Sequence, residues 1–293
     1  MPSWQGKSKG TTFGYSIFVA VIKKFGVRPA YALLAIVAFY YFLFSFKTSK
    51  IIYGFYRERL HYGRFSSLLK LYRNYYRLGQ TLIDKIAIMS GAAVNFTFNF
   101  DGEENLRQIS ALQKGGLLLS AHIGNWEIAG YLLKRLNTRI NIVMFDGEHQ
   151  KIKEYLKSVT GETTAKIIVI KNDLSHIFEI NEALKNNELV CMHADRFVEG
   201  NKTVETNFLG SPAKFPLGPF LLAAKFKVPV AFVFALKETT FHYHFFSTEA
   251  KDYSMHEKDE SVAQMLKGFA KAMEEKVKTY PEQWFNYYDF WKQ

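Results

Sequence analysis

Eighteen consecutive residues without a charge, Pro29 to Phe46 (PAYALLAIVAFYYFLFSF), constrain the fold of this 293-residue chain more than any other feature. Arg28 and Lys47 bracket the run. As a helix it reaches about 27 Å, just enough to cross the hydrocarbon core of a bilayer. Tyr40, Tyr41, Phe42, Phe44 and Phe46 crowd one end, where interfacial aromatic side chains are common. A spanning helix, a re-entrant or monotopic helix and a buried core helix all fit a run of this length. A cleaved signal peptide does not, because the run starts late and no small-residue cleavage site follows it. Thr12 to Ile22 reads as a shorter interfacial helix ahead of it.

Charge separates this region from the rest. Residues 1–100 hold fourteen Lys and Arg against two acids, Glu58 and Asp84, whereas the remaining residues are nearly neutral. The formal excess of +11 therefore belongs to the N-terminal third. Basic residues that flank and follow an apolar run favour an anionic membrane surface over nucleic acid. No nucleic-acid-binding module is recognisable. Aromatic residues make up 16% of the chain, a content suited to handling apolar surface. Lys50 to Ile88 continues as a basic, aromatic helical stretch. Leu68, Leu69, Tyr72, Tyr75, Tyr76 and Gly79 recur at helix spacing, with Arg73 and Arg77 on one face. That face either snorkels over a core or meets anionic headgroups.

From about residue 91 strand-length and helix-length segments alternate. Strands are predicted at Phe96–Phe100, Gly115–Ala121, Ile140–Phe145, Ile167–Ile170, Leu189–His193, Val228–Ala235 and Tyr243–Phe246. Helices are predicted at Asp101–Leu112, Asn125–Leu136, Gln150–Val159, Leu174–Lys185, Leu217–Phe226 and Ser261–Tyr280. This order implies an α/β fold, a mainly parallel central sheet flanked by helices. The expected organisation is an N-terminal membrane-anchor segment (1–50, apolar helix about 29–46), a membrane-proximal helical region (51–90) and an α/β domain (91–293).

Several chemistries lack their residues. There is no G-x-S-x-G elbow, no phosphate-binding glycine loop and no H-E-x-x-H. His242 and His244 share a strand face without a third ligand at suggestive spacing, so no metal site is expected. Cys191, the single cysteine, lies in an apolar strand and reads as a structural thiol.

The informative segment is Ser120–Gly130, SAHIGNWEIAG. An apolar strand ends at His122 and a helix follows almost at once, which places His122 where open parallel sheets build their sites. Gly124 permits the tight turn, Asn125 is an N-cap and Glu127 falls in the first helical turn. Two readings stand side by side. In one, Asn125 caps, Glu127 complements the helix dipole and His122 is an ordinary turn histidine. In the other, Glu127 fixes the tautomer of His122, which accepts a proton, while the helix N-terminus faces a developing oxyanion.

His122-Ile123-Gly124-Asn125-Trp126-Glu127 resembles the first motif of the lysophospholipid acyltransferase superfamily, in the H-x-G-N-W-E form of its bacterial lipid A late-acyltransferase branch. Other stretches agree in order. Ala194-Asp195-Arg196 and Asn207 to Ala213 resemble the family's D-x and F-x-G-x-P-A segments. Lys227-Val228-Pro229-Val230 resembles its late V-P strand, and Tyr280 to Trp284 its Y-P-E-Q-W. The resemblance covers nearly the whole chain and implies a glycerolipid-acyltransferase-like fold with an N-terminal membrane helix.

It also implies a reaction. His122, oriented by Glu127, removes a proton from an acceptor hydroxyl, which attacks the thioester of an acyl carrier protein or coenzyme A donor without an acyl-enzyme. Substrate-side roles are implied for Asn125, Trp126, Asp195, Arg196, Gly210 and Lys214. Asp195 and Arg196 would meet headgroup or donor phosphate, or else form a surface ion pair or strand-end cap. Asn207–Ala213 would form a loop near acyl or acceptor, and Phe215, Phe220 and Phe226 either line an acyl groove or pack a core. No cofactor and no metal are implied beyond the acyl thioester. Partners are membrane lipids, acyl carrier protein and a lipid or glycolipid acceptor, at the cytoplasmic face of an inner membrane. Two departures bear on the acceptor. Met144 to His149 stands where the family often has an arginine, and Phe285 to Lys292 replaces a W-x-H-x-R-W-K ending. A pigment lipid of the flexirubin or aryl polyene type fits these departures as well as lipid A does. An inactive membrane scaffold, a lipid-binding protein and a hydrolase are the readings from other classes.

Overall fold

The computed structural model describes residues 12–91, 94–126, 128, 136, 138–144, 166–171, 173–197, 200–253 and 257–292. The predicted helix Gln150–Val159, most of the predicted helix Asn125–Leu136, Glu127 and most of Met144–His149 lie outside them.

The chain opens with helices α1 (Thr12–Phe25), α2 (Val27–Phe44) and α3 (Phe46–Gly54), a five-residue π turn (Phe55–Arg59) and the long α4 (Arg64–Met89). The helical stretch read from Lys50 to Ile88 is thus made of more than one helix, with a break at residues 60–63. Tyr62 donates its N–H to the Tyr56 carbonyl, and an Arg57 guanidinium nitrogen donates to the Tyr62 carbonyl, closing the chain on itself. His61, with φ of 55°, sits in the break.

Strands β1 (Thr97–Asp101), β2 (Gly116–Ser120), β3 (Ile140–Met144), β4 (Lys166–Val169), β5 (Leu189–His193), β8 (Val230–Lys237) and β9 (His242–Ser247) form one sheet in the order β1-β9-β8-β2-β5-β3-β4. Every neighbouring pair is parallel except β8 and β9. The fold is α/β with a mainly parallel sheet, as the alternation implies. Leu117, Leu118 and Leu119 of β2 are all fully buried. A central strand covered on both faces must be apolar at every position, not at alternate ones.

Leu118 faces Ile109 of α5 (Glu103–Ala111), on one side of the sheet. Leu117 and Leu119 belong to the larger core on the other side. That core is filled by α6 (Ser175–Lys185), α7 (Leu217–Phe226) and α8 (Lys258–Thr279). In α8 the buried Met265, Leu266, Phe269, Met273 and Val277 recur at three- and four-residue spacing. Asp259 and Glu260 start it and Lys276 and Lys278 end it, matching its dipole. Phe215 and Phe220 are fully buried around Phe269, so these two pack the core and line no groove.

The segment expected as a loop at Asn207–Ala213 is instead an antiparallel hairpin, β6 (Thr203–Phe208) with β7 (Ser211–Pro216). Leu209 and Gly210 both have positive φ, 51° and 78°, the two-residue turn that matches strand twist. The Leu209 N–H donates to Glu274 Oε2 at 2.7 Å, which anchors the turn on α8.

Candidate active site

The register of the sheet builds the site. Ser120 at the end of β2 pairs with His193 at the end of β5. Two residues further along each parallel strand stand His122 and Asp195, side by side at the carboxyl edge. His122 Nδ1 lies 2.8 Å from Asp195 Oδ1, and the His122 backbone N–H donates to Oδ2 at 3.0 Å. One carboxylate thus holds both the backbone and the ring of the histidine. An ionised carboxylate only accepts, so Nδ1 carries the proton and Nε2 becomes the basic nitrogen. The Asp195 carbonyl accepts from the Tyr288 hydroxyl at 3.3 Å.

The turn between His122 and Asn125 is clamped on every side. The Phe285 N–H donates to the His122 carbonyl at 3.0 Å, and the Gly124 N–H to the Gln283 carbonyl at 2.8 Å. The Asn125 N–H donates to the Ala235 carbonyl at 2.7 Å. Gly124 has φ of 68°, and a Cβ there would lie 1.9 Å from the Ala235 oxygen. No larger residue fits that approach. The C-terminal Y-P-E-Q-W segment is thereby part of the site's frame. It is carried in turn by α4: Asn74 Nδ2 donates to the Glu282 and Trp284 carbonyls, each at 3.1 Å, and Lys70 and Arg73 pair with the Glu282 carboxylate. Arg77 is bound to Gln80, so two of the arginines that headgroups might have used already have partners within the chain.

Burial, and next the Arg196 guanidinium, push His122 below the ordinary imidazole value, against the opposing pull of Asp195. Burial alone would raise the Asp195 carboxyl, but His122 and Arg196 outweigh it and hold it below the usual carboxylate range. A neutral imidazole beside a charged carboxylate is a general base ready to act.

His193 stands against His122, ring centroids 4.2 Å apart, and Trp126 meets both rings edge-on at 5.0 and 5.2 Å. Burial, then His122, push His193 well below its ordinary value. The ligand atoms of His122, His193 and Asp195 all lie within 4.8 Å of one another, the one set among the described residues able to approach a divalent ion. Both Asp195 oxygens already accept a hydrogen bond from His122, so an ion there would compete with that clamp for the carboxylate. His242 and His244 bond to Thr97 and Glu238 instead.

The remaining expected site residues fall into two groups. Trp126 and Arg196 join His122 and Asp195, with an Arg196 guanidinium nitrogen donating to the Phe285 carbonyl. Asn125 is buried and works on the protein itself. Its Nδ2 donates to the Thr81 carbonyl and the Tyr243 hydroxyl, and its Oδ1 accepts the Ile128 N–H at 3.4 Å. Gly210 and Lys214 sit on the separate β6–β7 hairpin, Lys214 across from Glu205. Glu127 lies outside the described residues. His193 escaped sequence reasoning, although it occupies the last position of a predicted strand that ends beside His122.

A histidine fixed by a carboxylate at the carboxyl edge of a parallel sheet is, in an α/β protein, an arrangement able to accept a proton. Over residues 71–293 the chain matches the profile of the family described as bacterial lipid A biosynthesis acyltransferase, and it belongs to that family. It is similar to the phosphatidylinositol mannoside acyltransferases of two Mycobacterium tuberculosis strains, each 30% identical over 129 residues. Those alignments cover 42% of this chain and 39% of the relative, so the chain spans about two fifths of the length of the relatives it matches. Among solved structures it is similar to the 1-acyl-sn-glycerophosphate acyltransferase PlsC of Thermotoga maritima, with 15% identity and a TM-score of 0.39. That similarity covers 85% of this chain and 98% of that one.

Proposed function

We propose that the protein is a membrane-associated acyltransferase that moves a fatty acyl group from an acyl thioester to a hydroxyl of a lipid or glycolipid. Family membership supports the reaction class and the acceptor class. The observation that carries the mechanism is the double hold of Asp195 on His122.

His122 Nε2 takes the proton of the acceptor hydroxyl as its oxygen attacks the thioester carbonyl carbon. The imidazolium is stabilised by Asp195, which already bonds Nδ1–H. The tetrahedral intermediate collapses, the C–S bond breaks, and the departing thiolate takes the proton from His122. Ester and thiol are the products, and no protein nucleophile is consumed. Trp126 and His193 wall the imidazole, and Arg196 offers a cation to phosphate of headgroup or donor. The family motif gives Glu127 to the same histidine, so the proposed base has a carboxylate from the motif and another, Asp195, from the neighbouring strand. The donor is acyl carrier protein or coenzyme A, no metal or further cofactor takes part, and the workplace is the cytoplasmic face of an inner membrane.

Mass spectrometry of lipids from a deletion strain tests this reading. The strain is complemented with wild type, His122→Ala, Asp195→Asn or Glu127→Gln. Loss of one acyl chain from one lipid, restored by wild type and not by His122→Ala, is the expected result, and the mass shift names acyl group and acceptor. Equal restoration by His122→Ala removes the base from the mechanism. An unchanged lipid profile in the deletion favours the scaffold reading, and free fatty acid released without an acceptor identifies a hydrolase.

A further inference from the structure

Beneath the catalytic turn lies a cluster of charged and polar side chains that the chemistry does not use. The Asp84 carboxylate of α4 accepts three hydrogen bonds. Tyr31 of α2 donates its hydroxyl to Oδ1, while Lys237 of β8 and Tyr243 of β9 donate to Oδ2. Lys237 Nζ also donates to the Tyr31 hydroxyl at 3.0 Å. Asn125, from the catalytic turn, donates to the Tyr243 hydroxyl at 3.3 Å. Asp84 and Tyr243 are wholly buried, and Lys237, Asn125 and Tyr31 almost so.

Each group is accounted for. The Tyr31 hydroxyl gives to Asp84 and accepts from Lys237, and the Tyr243 hydroxyl gives to Asp84 and accepts from Asn125. The Lys237 ammonium lies over the rings of Tyr243, Tyr31 and Phe96, at 4.7, 5.4 and 5.4 Å from their centroids. Burial raises the Asp84 carboxyl and lowers Lys237, and their mutual attraction opposes both shifts. A buried ion pair of this kind is a poor source of stability, because desolvation offsets most of its attraction. What a satisfied polar network does supply is one arrangement of the elements that meet in it. Here those elements are α2, α4, β8, β9 and the turn bearing His122. The backbone of Lys237 is held as well. Its N–H donates to Gln283 Oε1 at 2.9 Å and its carbonyl accepts from Gln283 Nε2 at 2.7 Å, while the Gln283 carbonyl accepts the Gly124 N–H.

We propose that Tyr31 and Tyr243 are positioning residues for acyl transfer, acting through Asp84, Lys237 and Asn125, so that the apolar helix α2 is a working part of the catalytic turn's support as well as an anchor. The inference rests on the reading of His122 as the base. It follows that a single hydroxyl on α2, linked to the turn only through this network, helps to govern how tightly the turn is held.

The test uses the full chain purified in detergent and two hydroxyl deletions, Tyr31→Phe and Tyr243→Phe. Tyr31→Phe keeps the ring stacked on Phe241 and changes little else. Tyr72→Phe is the control. It removes a hydroxyl bond between the same two helices, from Tyr72 to the Ala35 carbonyl, that has no link to the network. Two quantities are read: hydrogen exchange of the amides of residues 122–126, and thiol release from palmitoyl coenzyme A in the presence of dispersed total lipid extract. For Tyr31→Phe we expect exchange and kcat to change about tenfold, in opposite directions, with KM within about twofold of wild type, since small misplacements of a reacting group act on the chemical step. Tyr243→Phe changes both at least as much, and Tyr72→Phe neither. Wild-type exchange and kcat in Tyr31→Phe overturn the proposal, as does equal damage from Tyr72→Phe, which would make the effect one of general helix packing. A wild type that transfers no acyl group, with exchange still accelerated in Tyr31→Phe, overturns the function and leaves the network standing.

Discussion

A histidine that abstracts a proton must be neutral before the reaction and tolerated as a cation during it. Burial and Arg196 supply the first condition at His122, and Asp195 supplies the second. Their removal has opposite consequences for pH dependence. Under the proposed mechanism the base works deprotonated, so activity should fall as pH drops through its pKa. With that pKa held down, the acid limb of kcat/KM lies below the ordinary imidazole value of about 6.5. In Arg196→Met the cation that lowers it is gone, and the limb moves to higher pH. In Asp195→Asn the carboxylate that raises it is gone, so the limb moves lower, while kcat falls by about 10²- to 10⁴-fold because an amide keeps one accepting oxygen for two donors and sets its NH2 against either Nδ1–H or the His122 N–H, which disturbs the tautomer and the ring position. A pH–rate profile of both variants against wild type checks the two signs together, and shifts in the same direction would contradict the assignment. Cys191 gives a second check. Burial pushes its thiol up to about 12, leaving no thiolate to attack a thioester. Cys191→Ala retains most of the wild-type rate in the same assay, and its loss would point to an acyl-enzyme instead.

At the scale of elements, the site depends on where strands end and how tightly the following turn is drawn in. Gly124→Ala places a Cβ against the Ala235 oxygen at a backbone angle that side chains avoid. The turn must then leave β8, which costs about 1–3 kcal/mol and carries His122 away from Asp195. Thermal unfolding and acyl transfer should both decline, activity by the larger factor. Elements of this kind were legible unequally. The strands β2, β5 and β8 were readable because central parallel strands are short apolar runs. The hairpin β6–β7 was not, because its two strands are partly exposed and its turn puts a leucine at positive φ, held by a glutamate 65 residues away. His122 was readable as a strand-end residue next to a glycine turn. Its contact with Asp195 was hidden because sheet register, not sequence spacing, sets it across 73 residues. Asp84 and Lys237 were unreadable for a related reason: a lone charge in a sequence defaults to the surface, and only the tertiary pairing shows it buried.

For the whole molecule, α2 has two faces with different partners. Val27, Ala30, Tyr31, Leu34 and Ala38 are buried, and the Tyr72 and Tyr76 hydroxyls of α4 donate to its Ala35 and Tyr31 carbonyls. Its other face is apolar and uncovered. Ile36 is 70% exposed, and Phe39, Tyr40 and Phe44 are each more than half exposed. Phe46 and Phe65, 75% and 81% exposed, stand on the neighbouring helices α3 and α4. Exposed large apolar side chains of this kind suit a surface that meets lipid or a partner, and under the proposed membrane association the basic excess of the first hundred residues would favour anionic lipid. The full chain should therefore cosediment with vesicles containing an anionic phospholipid, and rising salt should weaken the electrostatic part of that binding. Burying one phenylalanine contributes about 1.5–3 kcal/mol, so Phe39→Asp with Phe44→Asp should weaken partitioning by roughly a hundredfold or more. Neither side chain touches the His122 site, so the pH–rate profile with a detergent-dispersed acceptor should match wild type. Retained vesicle binding in the double variant would move the lipid contact off this face of α2. A changed pH–rate profile would instead show that the outer face of the helix, and not Tyr31 alone, reaches the catalytic turn.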